Sequence, residues 1–268
     1  MADNVSKAAR YWPTQNPLTF ATIRHWISTV QAANTLINGK ISSFTNLGSG
    51  GARTQATDAK RAALTNGEAV FTGVQQYDMS SLGNPNDTQH LFVAVIDVPN
   101  PAIAAGSIIE GAWNSSGWRG HLGIIVGNNT ISFQWPTVAS TGAGTNQTLR
   151  TGKSIAVLKW LPGPSTVSFR LNGIQVQSVS TVAGVDPTNT LNIGCNAVYN
   201  SIVDYLSNVN ILDCLHLQGA AANLTTTQIE DIEGYLAAFS NVALNSAHPY
   251  YQKQNRTFTS AEVFLSAA

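Results

Sequence analysis

The sequence predicts an all-β sandwich with one short helix near the C-terminal end. Three observations lead there. From about Trp26 to Phe239, short apolar stretches are separated by Gly, Asn and Pro, the pattern of strands joined by tight turns. Thr166 to Val179 (TVSFRLNGIQVQSV) sets two alternating arms around Asn172-Gly173. A single stripe of helical period lies between Leu224 and Phe239.

Taken in order, His90 to Val98 (HLFVAVIDV) is a near-continuous apolar run, as expected of a strand covered on both faces. Ser107 to Trp113, His121 to Val126, Thr130 to Trp135 and Ile155 to Trp160 read as further strands. Asn-Gly adopts the positive φ angles of a type I′ turn, whose twist suits a hairpin. In the second arm, alternation puts Ile174, Val176 and Ser178 on one face and Gln175, Gln177 and Val179 on the other. In the helix, Ile229, Ile232, Leu236 and Phe239 form the apolar stripe, and Glu230, Asp231 and Glu233 read as its solvated face. Thr225 with Gln228, or Thr227 with Glu230, supplies a capping box. Gly234 inside the helix costs about 1 kcal/mol relative to Ala.

Composition excludes some functions. The 268 residues carry 14 basic and 14 acidic side chains, so the chain lacks the excess positive charge that a phosphate backbone selects. No nucleic acid partner is expected. No apolar run approaches the ~20 residues of a membrane span, and the N-terminus has no secretory apolar core. Synthesis in a cytoplasm is therefore expected. Charged residues make up only 10%, against about 25% in an ordinary soluble protein. Such a surface costs little desolvation when pressed against a neighbour, which favours assembly. Cys195 and Cys214, the two cysteines, lie outside any metal-ligand spacing and are expected as buried reduced thiols.

Several segments in order carry a family resemblance: LINGKISSFTNLGSGGARTQA after Trp26, GEAVFTGVQQYDM, the Asn-Gly hairpin, LNIG at Leu191 to Gly194, and LTTTQIEDIEGYLA. Together they resemble the concanavalin A-like, laminin G-like jelly-roll domains common in bacteriophage virion proteins and in some bacterial surface proteins. The resemblance covers roughly residues 18–240, leaving an N-terminal extended arm (1–17) and a C-terminal arm (241–268). It departs at Gly194, followed by Cys195 instead of a second Gly, and at Trp26-Ile27-Ser28, where an acidic residue is missing.

The resemblance implies a two-sheet antiparallel jelly-roll sandwich and, in function, a non-catalytic virion structural protein, a phage capsid decoration, head-fibre or tail-associated subunit that binds other virion proteins and oligomerises. The aromatic arms fit that role, with Tyr11 and Trp12 at one end and Tyr250, Tyr251, Phe258 and Phe264 at the other. The alternative is a lectin-like module for host-surface glycans. Its candidate site is Trp113, Asn114, Trp118, Arg119 and His121, where flat rings would face sugars and polar groups would bond hydroxyls. No enzyme is expected, since the acids form no same-face carboxylate pair along one strand. His25, His90, His121, His216 and His248 show no zinc or nucleophile motif. No cofactor is expected. Many sandwiches of the resembled class carry calcium, for which Asp186 and Asp204 are candidates, though neither lies in an oxygen-rich string.

Overall fold

A computed structural model describes residues 23–79, 89–112, 122–135, 143–161, 165–181, 190–198 and 201–251. Its first strands are β1 (His25–Ser28), β2 (Thr35–Ile37), β3 (Lys40–Phe44), β4 (Arg53–Thr54), β5 (Ala63–Thr65), β6 (Glu68–Thr72) and β7 (Tyr77–Met79). The middle of the chain forms β8 (His90–Val98), β9 (Ala105–Ala112), β10 (Leu122–Gly127), β11 (Thr130–Trp135), β12 (Ala143–Thr148) and β13 (Gly152–Leu161). Then follow β14 (Ser165–Leu171), β15 (Ile174–Thr181), β16 (Thr190–Ile193), β17 (Cys195–Val198), β18 (Ser201–Tyr205), β19 (Ser207–Gln218) and the helix α1 (Thr226–Ser240).

All pairings are antiparallel, and they build two packed sheets. The back sheet runs β15-β14-β13-β8-β19-β1. The front sheet runs β12-β11-β10-β9-β16-β7. The first half of β19 also pairs with β6, from which β5 and β3 continue. Between the sheets lies one core, in which Phe92, Ala94 and Ile96 of β8 meet Ile124, Ile131 and Phe133 from the front. Phe133 touches Phe169 of β14 with ring centroids 4.9 Å apart. These are the aligned layers of a sandwich.

A second core lies on the other face of the back sheet. Leu91, Val93 and Val95 of β8, Ile155 and Val157 of β13, and Leu215 and Leu217 of β19 pack there against Ile229, Ile232 and Leu236 of α1. The central strand β8 is therefore buried on both faces, which is why it reads as apolar without alternation. Past the helix, Val242 and Leu244 join this second core.

The helix begins with the Thr225–Gln228 capping box and ends at Asn241 in the left-handed region, φ 55°. Two readings of its faces are corrected. Glu233 does not lie on a solvated face: it is fully buried, because it sits within the arc of Ile229, Ile232 and Leu236 and meets an arginine from the sheet. Phe239 is 39% exposed at the rim of the stripe, its ring tilted against Tyr235 with centroids 4.7 Å apart. Gly234 has a packing reason, since a Cβ there would lie 2.4 Å from the Tyr250 ring.

The hairpin of β14 and β15 turns at Asn172 and Gly173 with φ 50° and 83°. Its faces differ from simple alternation. The register slips between Phe169, opposite Gln177, and Arg170, opposite Gln175, so Val176 is a bulge residue. Val176 and Val179 consequently both pack on the inter-sheet core, as a one-residue insertion exchanges faces.

Two hairpin turns of one type separate backbone strain from packing. Gly39 has φ 73° with open space at its Cβ position, whereas at Gly173, φ 83°, a Cβ would lie 2.4 Å from the His248 ring. Left-handed backbone costs a non-glycine residue about 1–2 kcal/mol, so Gly39→Ala should lower Tm by a few degrees, about 2–4 °C per kcal/mol in a chain of this size. Gly173→Ala should lower it further, because the imidazole must also move. Thermal unfolding of both variants checks this; equal losses would show that His248 does not restrain the turn.

Candidate functional site

The residues proposed for glycan stacking, Trp113, Asn114, Trp118, Arg119 and His121, lie outside the described residues, in the segment joining β9 to β10. The same holds for Tyr11, Trp12, Phe258 and Phe264 of the arms and for Asp186. Asp204 falls within β18. No group of three or more metal-ligating side chains occurs among the described residues. Cys195 and Cys214 are both buried and unbridged. Tyr250 rests on its own domain, its hydroxyl donating to Asp231. Tyr251 is half-buried beside it.

Folding assembles three polar clusters that the linear pattern does not display. On the outer face of the back sheet, burial, followed by the charge of the neighbouring Glu68, raises the Asp97 carboxyl above its ordinary value. Lys153 Nζ lies 3.2 Å from Glu68, and Asn210 Nδ2 donates to it at 2.9 Å.

Three histidines meet at one end of the inter-sheet core. His90 Nδ1 is 3.0 Å from His216 Nε2, and the His25 and His216 rings stack at 5.8 Å. The Arg53 guanidinium contacts the His25 ring. Burial, then the Arg53 and Arg24 charges, lowers His25 to about 3. Burial likewise holds His216 well below the usual imidazole range. Both rings are therefore neutral packing elements at neutral pH. Beneath the helix, the fully buried Asp213 accepts from Trp26 Nε1 at 3.0 Å and from Ser240 Oγ at 3.1 Å. Burial raises its carboxyl to about 6, opposed by the hydrogen bonds from Ser28, Trp26 and Ser240.

The third cluster surrounds a concavity of about 450 Å³ at the tip of the β14–β15 hairpin. One wall is Gln147, Thr148, Leu149 and Arg150, where β12 runs toward β13. Leu171, Asn172, Ile174 and Val176 form the floor, and Ala243, Leu244 and Asn245 close the other side. Asn172 ties these parts together. Its amide donates to the Ile155 carbonyl at 2.8 Å, and its side-chain oxygen accepts from the Ile155 amide at 2.9 Å. Its carbonyl accepts from the Asn245 amide at 2.9 Å. Arg150, exposed at the rim, is the charged residue of the lining. Amides and hydroxyls over an apolar floor can both donate and accept around a hydroxylated ligand while covering its C–H faces. The Asn-Gly turn was the visible part of this site in the sequence; its walls come from distant segments.

No protein-family model matches the chain, and no curated protein matches it in sequence. Among solved structures it is similar to a Trypanosoma rangeli sialidase in complex with sialic acid, with TM-score 0.58 and 13% identity over 82% of this chain and 34% of the sialidase. A second Trypanosoma rangeli sialidase structure gives TM-score 0.51 and 12% identity over 82% of this chain and 34% of that one. The Ruminococcus gnavus IT-sialidase CBM40 bound to α2,3-sialyllactose covers 60% of this chain and 95% of its own, with TM-score 0.45 and 8% identity, a likeness too slight to bear on function. The chain spans about a third of the sialidase's length. The two sialidase likenesses agree with the jelly-roll sandwich expected from the sequence.

The buried titratable groups set the pH dependence of stability. His25 and His216 stay neutral in the fold while the unfolded chain protonates near 6.5, so their contribution is complete above that pH and is lost as pH falls. Asp213 acts oppositely: with a folded value of about 6 against 3.8, its contribution is present below 3.8 and lost as pH rises through 6. Between these values the two imidazoles are opposed by Asp213 and, over a narrower range, by the raised Asp97 carboxyl, and each uncompensated proton changes stability by about 1.4 kcal/mol per pH unit. Tm should therefore fall steadily from about pH 7 to about pH 4.5. Asp213→Asn should steepen the fall below pH 6. Melting curves across the range check both; a flat profile would mean that the imidazoles protonate freely in the fold.

Proposed function

We propose that the chain is a non-catalytic saccharide-binding sandwich whose site is the hairpin-tip pocket. The observation that carries this reading is the pocket of about 450 Å³ with its hydroxyl and amide lining. Its size lies within the range of small-molecule sites, about 300–1,000 Å³. The pocket lining holds no carboxyl group among the described residues, whereas hydrolysis of a glycosidic bond calls for two. The sialidase likeness is one of fold, and fold alone does not carry an activity. The reading as a virion subunit rests on the family resemblance and on the low charge of the surface. The solved structures named above are a sialidase and a sialidase's carbohydrate-binding module, not virion proteins.

The test is an array of neutral and acidic glycans probed with the full chain. Gln147→Ala combined with Arg150→Ala should reduce binding at least tenfold, about 1.4 kcal/mol, with an unchanged melting point, because both side chains line the pocket rim. Trp118→Ala should leave binding intact. No reducing sugar should be released. Full binding by the pocket variant together with loss in Trp118→Ala would move the site to residues 113–121.

A further inference from the structure

After Asn241 ends the helix, the chain runs back across the hairpin tip as a strap, residues 241–251. Its amide at Asn245 donates to the Asn172 carbonyl at 2.9 Å. Beyond that point its bonds turn inward: the His248 amide donates to the Asn245 carbonyl at 2.9 Å and the Tyr251 amide to the His248 carbonyl at 3.0 Å. The strap thus carries local turns in place of a sheet ladder, and Ala243, Ser246, Ala247 and Pro249 are exposed.

Val242 and Leu244 anchor the strap in the second core and Tyr250 donates to Asp231, while a fourth side chain ties it to the buried ion pair under the hairpin. The His248 imidazole is buried, lies over Gly173, and places Nε2 3.3 Å from Glu233 Oε2. Meanwhile Ala243, Leu244 and Asn245 make one wall of the pocket. Without the strap, the opposite wall and the hairpin floor would face open solvent. The pocket therefore exists only while the strap is docked.

We infer that the strap is a movable wall of the pocket, and that His248 on Glu233 is the latch that sets how often the pocket is formed. The inference rests on the reading of this pocket as the binding site. His248 and Glu233 are positioning residues, since they act through the strap. A segment that adds no strand to either sheet opens at lower free energy than the core strands. A ligand that touches the strap binds the docked form alone, so its apparent affinity scales with the docked fraction.

Amide hydrogen exchange of the full chain tests this. The amides of Asn245, His248 and Tyr251 should exchange together, ahead of those in β8 and β13. His248→Ala should speed the strap amides at least tenfold and leave β8 and β13 unchanged, while His248→Gln, which keeps an N–H donor on the side chain, should recover much of the protection. Strap amides that exchange only with β8, or a uniform acceleration across the chain, would overturn the inference. Titration with the saccharide giving the strongest array signal should show His248→Ala weakened by the factor by which the docked fraction falls. An unchanged Kd despite an opened strap would overturn the coupling. If the native protein binds no saccharide, the proposed function fails, and the exchange result still decides the strap.

Discussion

The buried ion pair between Arg170 and Glu233 is the constraint on which the outer half of the structure depends. Arg170 projects from β14 onto the helix side of the back sheet, where its Nε donates to both Glu233 oxygens at 3.1 and 3.0 Å. Its Nη2 donates to Glu233 at 2.9 Å and to the Gly173 carbonyl at 2.9 Å. With both side chains out of water, removing one partner would leave an unpaired buried charge, a loss on the order of 3–5 kcal/mol. The pair thus fixes where α1 sits along the sheet. Through Gly173 it also holds the hairpin tip, and through Glu233 it holds His248.

Helix position and pocket geometry are consequently one problem. Leu236 and Ile232 bury themselves only if α1 lies over β8 and β13, and that placement brings Glu233 to Arg170. The same placement aims the end of the helix so that residues 242–245 cross the hairpin. Asp213 adds a second fixed point, joining β19 to Trp26 of β1 and to Ser240 in the last turn of α1. A pocket supported by two such ties on regular elements is better ordered than one built from loops alone, and order of this kind lowers the cost of binding.

Much of the fold was legible because its signals are local. β8 and β11 match the apolar runs at His90–Val98 and Thr130–Trp135, and the capping box and Asn-Gly turn follow from neighbouring residues. What stayed hidden depends on contacts across the chain. Glu233 reads as a surface acid until Arg170, 63 residues away, is placed beside it. The strand β19, SNVNILDCLHLQ, is the longest of those described, yet Asn210, Asp213 and His216 break its pattern. Those polar residues are satisfied or packed by β6, α1 and β1, which no window around them contains. The pocket was illegible for the same reason: Gln147, Asn172 and Asn245 converge only after the hairpin and the strap are in place.

The polar composition also has a structural use that bears on assembly. All seven non-glycine residues with positive φ among the described residues are asparagines: Asn38, Asn66, Asn128, Asn129, Asn172, Asn208 and Asn241. Asn38-Gly39 turns β2 into β3, Asn66-Gly67 turns β5 into β6, and Asn128-Asn129 turns β10 into β11. Asparagine tolerates the left-handed region better than other residues with a Cβ, so a sandwich with many two-residue hairpins selects it. Part of the uncharged polar content therefore reflects turn geometry. A low charge fraction by itself is then weak support for a surface built to pack against neighbours, and the case for assembly has to rest on contacts that particular side chains make.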